Sequence, residues 1–425
     1  MKKLFALLLA MVILLSLVGC GGGSTGSDEE FVINLWHLNV DETDNNRITI
    51  EEFIKQYEAD HSNVKVVQHI LQDADYKDKL LIEFSGSAES VDVFTYWGAG
   101  RAGDLVEAGK LLCLEDYISA NKLNIFKPGV DTNFRYDGKL YGMPQASWMM
   151  VLYCNTELFE KYDVKLPETF DEWLTACETF AKNNVIPVAL GGGVDDGWQA
   201  AFVYEALVNR IVGAAEEMNV ISSGTGYDAP GFKEAAEKMA QLNAAGAFGK
   251  SPLEIDEDTS NVQFLSGVAA MRLTGSWFTG GIYTDEDSVV EGKVVALPIP
   301  MVTGGAGKDT DYVGGFIDGI FVNGATEHPK ECAEFAYELG IAMATSQHEI
   351  GEGFTAYTLP VNEDELPPLG KEVAALANKM IDGVVAWDTF LPGDKADLHI
   401  DACQALLKKN PDIAKFLAVY DKVFK

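Results

Sequence analysis

Trp36, Trp97, Trp148, Trp198, Trp277 and Trp387 all fall at the ends of predicted elements or in loops, whereas Trp173 lies inside a helical stripe. An indole offers a broad apolar plane with one N–H donor on its edge. Rings placed at loops rather than on a core stripe suit a cleft that holds a ligand with flat apolar faces and hydrogen-bonding edges, as sugars have. Polar groups stand beside them: His37 after Trp36, Tyr96 before Trp97, Gln145 ahead of Trp148, and Ser276 before Trp277. The run Gly314-Gly315-Phe316-Ile317-Asp318 has the look of a strand ending at a cleft, and Ala386-Trp387-Asp388 reads as an aromatic loop. Taken singly, each of these is as readily a ring closing the core or a solvated carboxylate. Six tryptophans so placed are harder to dismiss.

Covalent chemistry finds little purchase. The sequence has no G-x-S-x-G, H-E-x-x-H or Cys/His arrangement. GGAGKD at 304–309 is not a phosphate loop, because no glycine stands five residues before Gly307 and Asp309 follows the lysine. Asp41, Thr43, Asn45, Ile48 and Glu52 match positions of a calcium loop, but Asn46 stands where glycine is wanted and a strand precedes in place of a helix. Thr49-x-x-Glu52 reads instead as a capping box, with Ile50, Phe53, Ile54 and Tyr57 forming the apolar stripe of a helix. The remaining cysteines after Cys20, namely Cys113, Cys154, Cys177, Cys332 and Cys403, show no metal-like or CxxC spacing and read as isolated buried thiols. Neither metal nor cofactor is called for. With 65 acidic residues, a carboxylate pair working as a glycosidase stays open as the alternative.

A chain of 425 residues should divide into at least two bodies, because single cores seldom grow past about 250–300 residues. The net charge of -33 sets up a field that repels phosphate backbones, so nucleic acid is not an expected partner. Residues 1–19 read as a signal peptide: two lysines, a short apolar run, then small residues. Leu17-Val18-Gly19-Cys20 resembles a bacterial lipobox, in which the cysteine carries the lipid and anchors the protein to the membrane. Residues 20–30 then form a lipidated Cys20 and a flexible polar tether.

The elements that must position the rings begin with strands at Phe31 to Leu38, Val64 to Ile70 and Val91 to Thr95, separated by helices, a pattern of α/β class. Ligands in such sheets sit beyond the carboxyl ends of strands, where Trp36, His37, Tyr96 and Trp97 fall. The stretch 137–162, DGKLYGMPQASWMMVLYCNTELFEKY, reads as a strand broken by Gly142 and Pro144 and resumed from Trp148 to Tyr153, which is a natural place for the backbone to pass between bodies. After the crossover, helices are expected at Phe170 to Asn183, capped by Thr169, and at Trp198 to Val212 and Pro230 to Ala245. Val268 to Leu273 reads as a strand, after which Ser276 and Trp277 open a helix with free amide donors.

DGKLYGMP followed by LYCNTELFEKYDVKLPETFDEW resembles the crossover of extracellular solute-binding proteins of the maltose-binding type, the capture subunits of ATP-driven sugar importers. DVFTYWGAGRAGDLVEAGKLLCLEDY and FLSGVAAMRLTGSW resemble two further signatures of that family in the same order, and PVALGG with a following tryptophan agrees. Cys154 between Tyr153 and Asn155, and Asp163 where glycine is usual, depart from the pattern. The resemblance implies a two-lobed periplasmic-binding-protein-like type II fold, each lobe a mixed sheet flanked by helices and joined by hinge strands. It places the first lobe at 31–143 plus about 286–326 and the second at 144–285 plus about 327–425. It further implies a monomeric, lipid-anchored protein without catalytic residues on the outer face of the bacterial membrane. Such a protein closes on a carbohydrate, with the aromatic groups suggesting an oligosaccharide, and delivers it to an ABC transporter permease.

Overall fold

The computed structural model describes residues 30–193, 196–358 and 362–424. The signal peptide, Cys20 and most of the tether lie outside the described residues. Among those described, no helix is long and apolar enough to cross a membrane.

The first sheet is built from β1 (Phe31–His37), β2 (Val64–Ile70) and β3 (Val93–Trp97), with β1 parallel to both neighbours. The helices Asn45–Asp60 and Asp73–Ser85 connect these strands, as the alternation of strand and helix requires. The first of them starts earlier than the sequence suggests. Asp44, not Thr49, is the N-cap and accepts from the amides of Asn46 at 2.7 Å and Arg47 at 3.2 Å. Asp41 likewise accepts from the Thr43 amide at 2.8 Å, so the carboxylate at the first position of the calcium-like run serves as a local cap. The DG of DGKLYGMP makes a hairpin turn between β4 (Arg135–Tyr136) and β5 (Lys139–Leu140), with Asp137 and Gly138 at φ of 49° and 78°. That pair of positive φ values suits the twist of a tight hairpin.

Next comes β6 (Gly142–Pro144) on the first sheet, and then, across Gln145–Ser147, β7 (Trp148–Asn155) on the second. β7 is buried along its whole length and lies between β9 (Ala269–Gly275) on one side and two strands on the other. Beyond β9 lies β8 (Ile186–Ala189). On the other side, β10 (Val294–Leu297) takes the far half of β7 and β11 (Asp311–Gly315) the near half, with β13 (Asp382–Val384) outside β11. Two boundaries read from the sequence are corrected here. β10 belongs to the second sheet, because its register matches Leu152–Asn155 of β7. The run Gly314-Gly315-Phe316-Ile317-Asp318, read as one strand, instead joins two, β11 on the second sheet and β12 (Asp318–Val322) on the first, where β12 runs antiparallel to β3 and β6. Gly314 and Gly315 make that departure possible with φ of 141° and 144°, open to glycine and strained for other residues.

A third correction concerns the helix Pro329–Ile350, which belongs to the first lobe. Its face carrying Cys332, Phe335, Leu339 and Met343 packs into the first core, with Phe335 edge-on to Phe53 at 5.3 Å. Those residues recur at helical spacing, and the helix follows β12 so closely that it covers the sheet it has just left. The second core forms around Trp198–Val212, a helix buried on nearly all sides. Cys154, Cys177, Cys332 and Cys403 are buried free thiols, and Cys113 is half-buried.

The chain therefore passes between the lobes at Gln145–Ser147, at Phe316–Ile317 and again after Tyr357. The crossings are tied together: Gln145 N–H donates to Asp318 O at 2.9 Å and Ser147 N–H to Phe354 O at 2.8 Å.

Candidate functional site

Between the lobes lies a cleft of about 990 Å³, at the upper end of small-molecule sites. On the second lobe its wall is aromatic. Trp148 begins β7, Trp198 and Phe202 lie one turn apart on the buried helix, and Trp277 follows β9. Trp148 stacks on Phe202 at 5.4 Å and meets Trp277 edge-on at 4.9 Å, while Trp198 meets Phe202 edge-on at 4.9 Å. Each ring is thus held by another, and the group presents one wall of fixed shape.

The facing wall comes from the end of β3, where Tyr96 and Trp97 line the cleft. The Lys77 ammonium stands 4.8 Å from the Trp97 ring centroid and is paired with Asp73 at 2.6 Å. Gln145 and Ser147 of the first crossing and Asp318 of the second form the floor. Asp318 keeps some contact with the open cleft, but most of its surroundings are protein. Burial pushes its carboxyl up to about 7 against the pull of the Trp148 indole, with the Asp388 charge adding to the rise.

Three contacts join the lobes around this cleft. Arg101 Nε donates to Asp388 O at 2.8 Å and its Nη2 lies 3.5 Å from the Asp388 carboxylate, both residues being buried. Gln72 Nε2 donates to Asp258 Oδ2 at 3.2 Å. Glu352, 2% exposed, accepts from Asn45 Nδ2 of the first lobe at 3.2 Å and from the Gly280 amide of the second. Burial, with the Asp44 charge next in weight, raises the Glu352 carboxyl well above the usual range.

Of the residues singled out from the sequence, the structure brings Tyr96, Trp97, Gln145, Trp148, Trp198, Trp277, Asp318 and Asp388 together in the cleft. Trp36, His37, Ser276, Phe316 and Trp387 stand elsewhere. Trp36 is packed in the first core, stacked on His69, with its indole donating to Ser90 O at 2.6 Å. His37 is fully buried against Gln68 Oε1 at 2.9 Å, and burial lowers its pKa to about 4, leaving a neutral ring. Ser276 turns inward, donating to Glu352 O and accepting from the Met149 amide at 3.3 Å. The amides expected to be free there are partly taken, since Ser276 N–H donates to Met149 O at 2.8 Å. Phe316 packs against the first core, and its carbonyl accepts from Asn133 Nδ2 at 2.9 Å. Trp387 lies in the second core, stacked on His399 at 5.0 Å and donating to Glu217 at 2.9 Å.

Sequence reasoning missed Lys77, Phe202, Gln347 and Glu352, all of which line the cleft. Phe202 stands four residues after Trp198 on one helix, a spacing that could have flagged it. Lys77 stands four after Asp73. Glu352 follows the left-handed Gly351 that ends the helix Pro329–Ile350, and no local pattern marks it.

The family model for bacterial extracellular solute-binding proteins matches residues 41–345. An uncharacterized ABC transporter extracellular-binding protein of Pyrococcus horikoshii is 26% identical, over 79% of this chain and 78% of its own length. The multiple sugar-binding protein of Streptococcus mutans is 23% identical over 76% of this chain and 74% of its own. A structure solved in work on xylan utilization by Caldanaerobius polysaccharolyticus superposes with a TM-score of 0.86 at 28% identity, covering 93% of this chain and 100% of the other.

Proposed function

The chain belongs to the bacterial extracellular solute-binding proteins, and from that premise we propose that it captures an oligosaccharide between its lobes and hands it to an ABC transporter permease. The observation that carries this reading is the pairing of indoles across the cleft, Trp97 on one wall and Trp148, Trp198 and Trp277 on the other. Pyranose rings have apolar faces that stack on indole planes and rims of hydroxyls that need partners such as Gln145, Asp318 and Asp388. A site of this size suits several linked sugar units better than one. The sugar-binding relative from Streptococcus mutans and the xylan-related structure support carbohydrate as the ligand class.

No covalent step enters the mechanism. A ligand touching both walls stabilises the arrangement in which they are close, and that population shift is the signal the permease reads. Cys20 carries the lipid that holds the monomer at the outer face of the membrane.

A thermal-shift screen of the purified protein against mono- and oligosaccharides tests the reading, because a ligand that binds only the native form raises its melting temperature. We expect a saturable rise with an oligosaccharide that is recovered unchanged. A glycan shortened by turnover, or a flat response across neutral oligosaccharides, would refute it. Cys20→Ala should move the protein from the membrane fraction into the medium, and its retention on the membrane would sink the anchoring part.

A further inference from the structure

We propose that Asn261 is a specificity-determining contact on the second wall of the cleft, and that Arg272, buried behind it, is the positioning residue that turns its amide donors toward the ligand. The inference deepens the capture reading and rests on it. With Glu257 beside it, Asn261 offers a bound glycan one donor and one acceptor together, the pair that a free sugar hydroxyl needs.

The arrangement is built from the strand outward. Arg272 lies within β9 and is fully buried. Its Nη1 donates to Gln199 Oε1 at 2.8 Å and to Ala189 O at 3.2 Å, and Gln199 Oε1 also accepts from the Gly191 amide at 2.9 Å. The guanidinium is thereby fastened to the end of β8 and to the helix Trp198–Val212. Being planar and rigid, it has its remaining edge fixed in direction. That edge grips a single atom: Nε and Nη2 both donate to Asn261 Oδ1, at 3.2 and 3.0 Å.

A guanidinium carries donors and no acceptor, so the end of the Asn261 amide that faces it is the carbonyl oxygen. The Nδ2 end therefore points away from Arg272. Asn261 is half-buried and lines the cleft, and among the described residues no acceptor meets its Nδ2. Glu257 stands one turn earlier on the helix Glu257–Leu265, lines the cleft as well, and has Oε1 4.0 Å from Arg272 Nη2. The start of that helix is held in place, because the Glu257 amide donates to Asp196 Oδ2 at 2.7 Å and the Thr259 amide to Asp256 Oδ1 at 2.7 Å.

An asparagine amide left to itself turns about a broad terminal torsion and offers either end. Arg272 removes that choice, and Asn261 gives hydrogen bonds to the cleft without taking them. One hydroxyl can accept from Asn261 and donate to Glu257, whereas a deoxy unit in the same place leaves both without a partner. The same guanidinium sets this polar pair beside the aromatic wall, since Trp198 adjoins Gln199 and Trp277 follows β9.

Asn261→Asp is the direct test. It keeps the shape and leaves Arg272 an oxygen to grip, now charged, so the variant should melt no lower than the wild type. Calorimetric titration of the wild type with maltotriose, cellotetraose, xylotetraose and raffinose selects the tightest glycan, and affinity for that glycan should fall about tenfold in Asn261→Asp. Arg272→Lys replaces the fork by a point charge that cannot grip one oxygen twice. It should weaken binding in the otherwise wild-type protein and change nothing further in an Asn261→Asp background. A purely structural arginine would instead act alike in both backgrounds, and should Arg272→Lys not fold, Asn261→Asp decides alone. Unchanged affinity in folded Asn261→Asp overturns the proposal and leaves capture standing. Failure of the wild type to bind any of these glycans sinks the capture reading, and this inference with it.

Discussion

Replacing Gly275 by alanine should weaken glycan binding by roughly two- to tenfold and lower the stability of the fold by about 1–3 kcal/mol. Gly275 ends β9 opposite Met150, and a methyl group there would overlap the six-membered edge of the Trp277 ring. Its backbone lies outside the region reserved for glycine, and the three atoms nearest the added methyl all belong to that ring. Carbon atoms settle at about 3.5–4.0 Å, so the ring must slide by roughly 1.5–2 Å. Trp277 lines the cleft, so the displaced ring moves against the surface that a ligand would meet. What is lost is the shape of the wall: the edge contact with Trp148 at 4.9 Å and the tilted contact with Trp198 at 6.1 Å. Each such contact is worth about 0.5–1.5 kcal/mol to the fold, and a ligand that loses a stacking contact of similar size on the displaced ring binds less tightly at tenfold per 1.4 kcal/mol. Calorimetric titration with the best oligosaccharide from the thermal-shift screen measures it. The decisive measurement is a double-mutant cycle with Trp277→Ala. If the glycine acts only through the ring, Gly275→Ala changes nothing further in a Trp277→Ala background. An unchanged affinity in Gly275→Ala, or losses that add in full, would refute the reasoning.

Trp97→Ala should cost affinity, whereas Trp36→Phe should leave it intact and lower stability by about 1–3 kcal/mol, because Ser90 O loses its buried donor; calorimetry and urea unfolding separate the two. Arg101→Ala leaves the buried Asp388 carboxylate without its counter-charge, and a loss of about 3–5 kcal/mol in unfolding free energy is expected. Glu217 is fully buried, and burial pushes its carboxyl from 4.5 to about 8 despite donors from Asn209 and Trp387. The folded state then holds a proton that the unfolded state has released, so stability falls as pH rises from about 4.5 to 8 and levels off above, by up to about 5 kcal/mol. Glu217→Gln should make that slope shallower in urea unfolding at several pH values, the other buried carboxyls keeping their share, and an unchanged wild-type slope in the variant would contradict it.

The sequence carried the two lobes and most of the cleft aromatics, because both depend on local pattern. Tryptophans at strand ends and helix starts, such as Trp97 and Trp198, were readable from where periodicity stops. The same signal misplaced Trp36 and Trp387, because ending an element does not say to which side its last ring turns. Trp36 leans into the core over His69, and Trp387 fills the space beside His399. The strand β10 and the helix Pro329–Ile350 were given to the wrong lobe for a related reason: partner choice is set by register with distant residues, Leu152–Asn155 for one and the face of Phe53 for the other. Gly314-Gly315 was noticed as a motif, yet its meaning as a crossing follows only from positive φ. Glu352 carries no local signature, and its role comes from Asn45 and Gly280 converging on it.

That β3 finds its second neighbour only in β12, and that the first core is closed by Pro329–Ile350, bears on how the molecule is made. A growing polypeptide emerging from the ribosome cannot finish its amino-terminal half until nearly everything else has been synthesised. Until then an unpaired strand edge and a bare apolar sheet face remain uncovered, and maturation is correspondingly slow and dependent on protection from aggregation. Severing the gene anywhere between β3 and that helix should yield fragments that are insoluble apart and recover structure only when co-expressed.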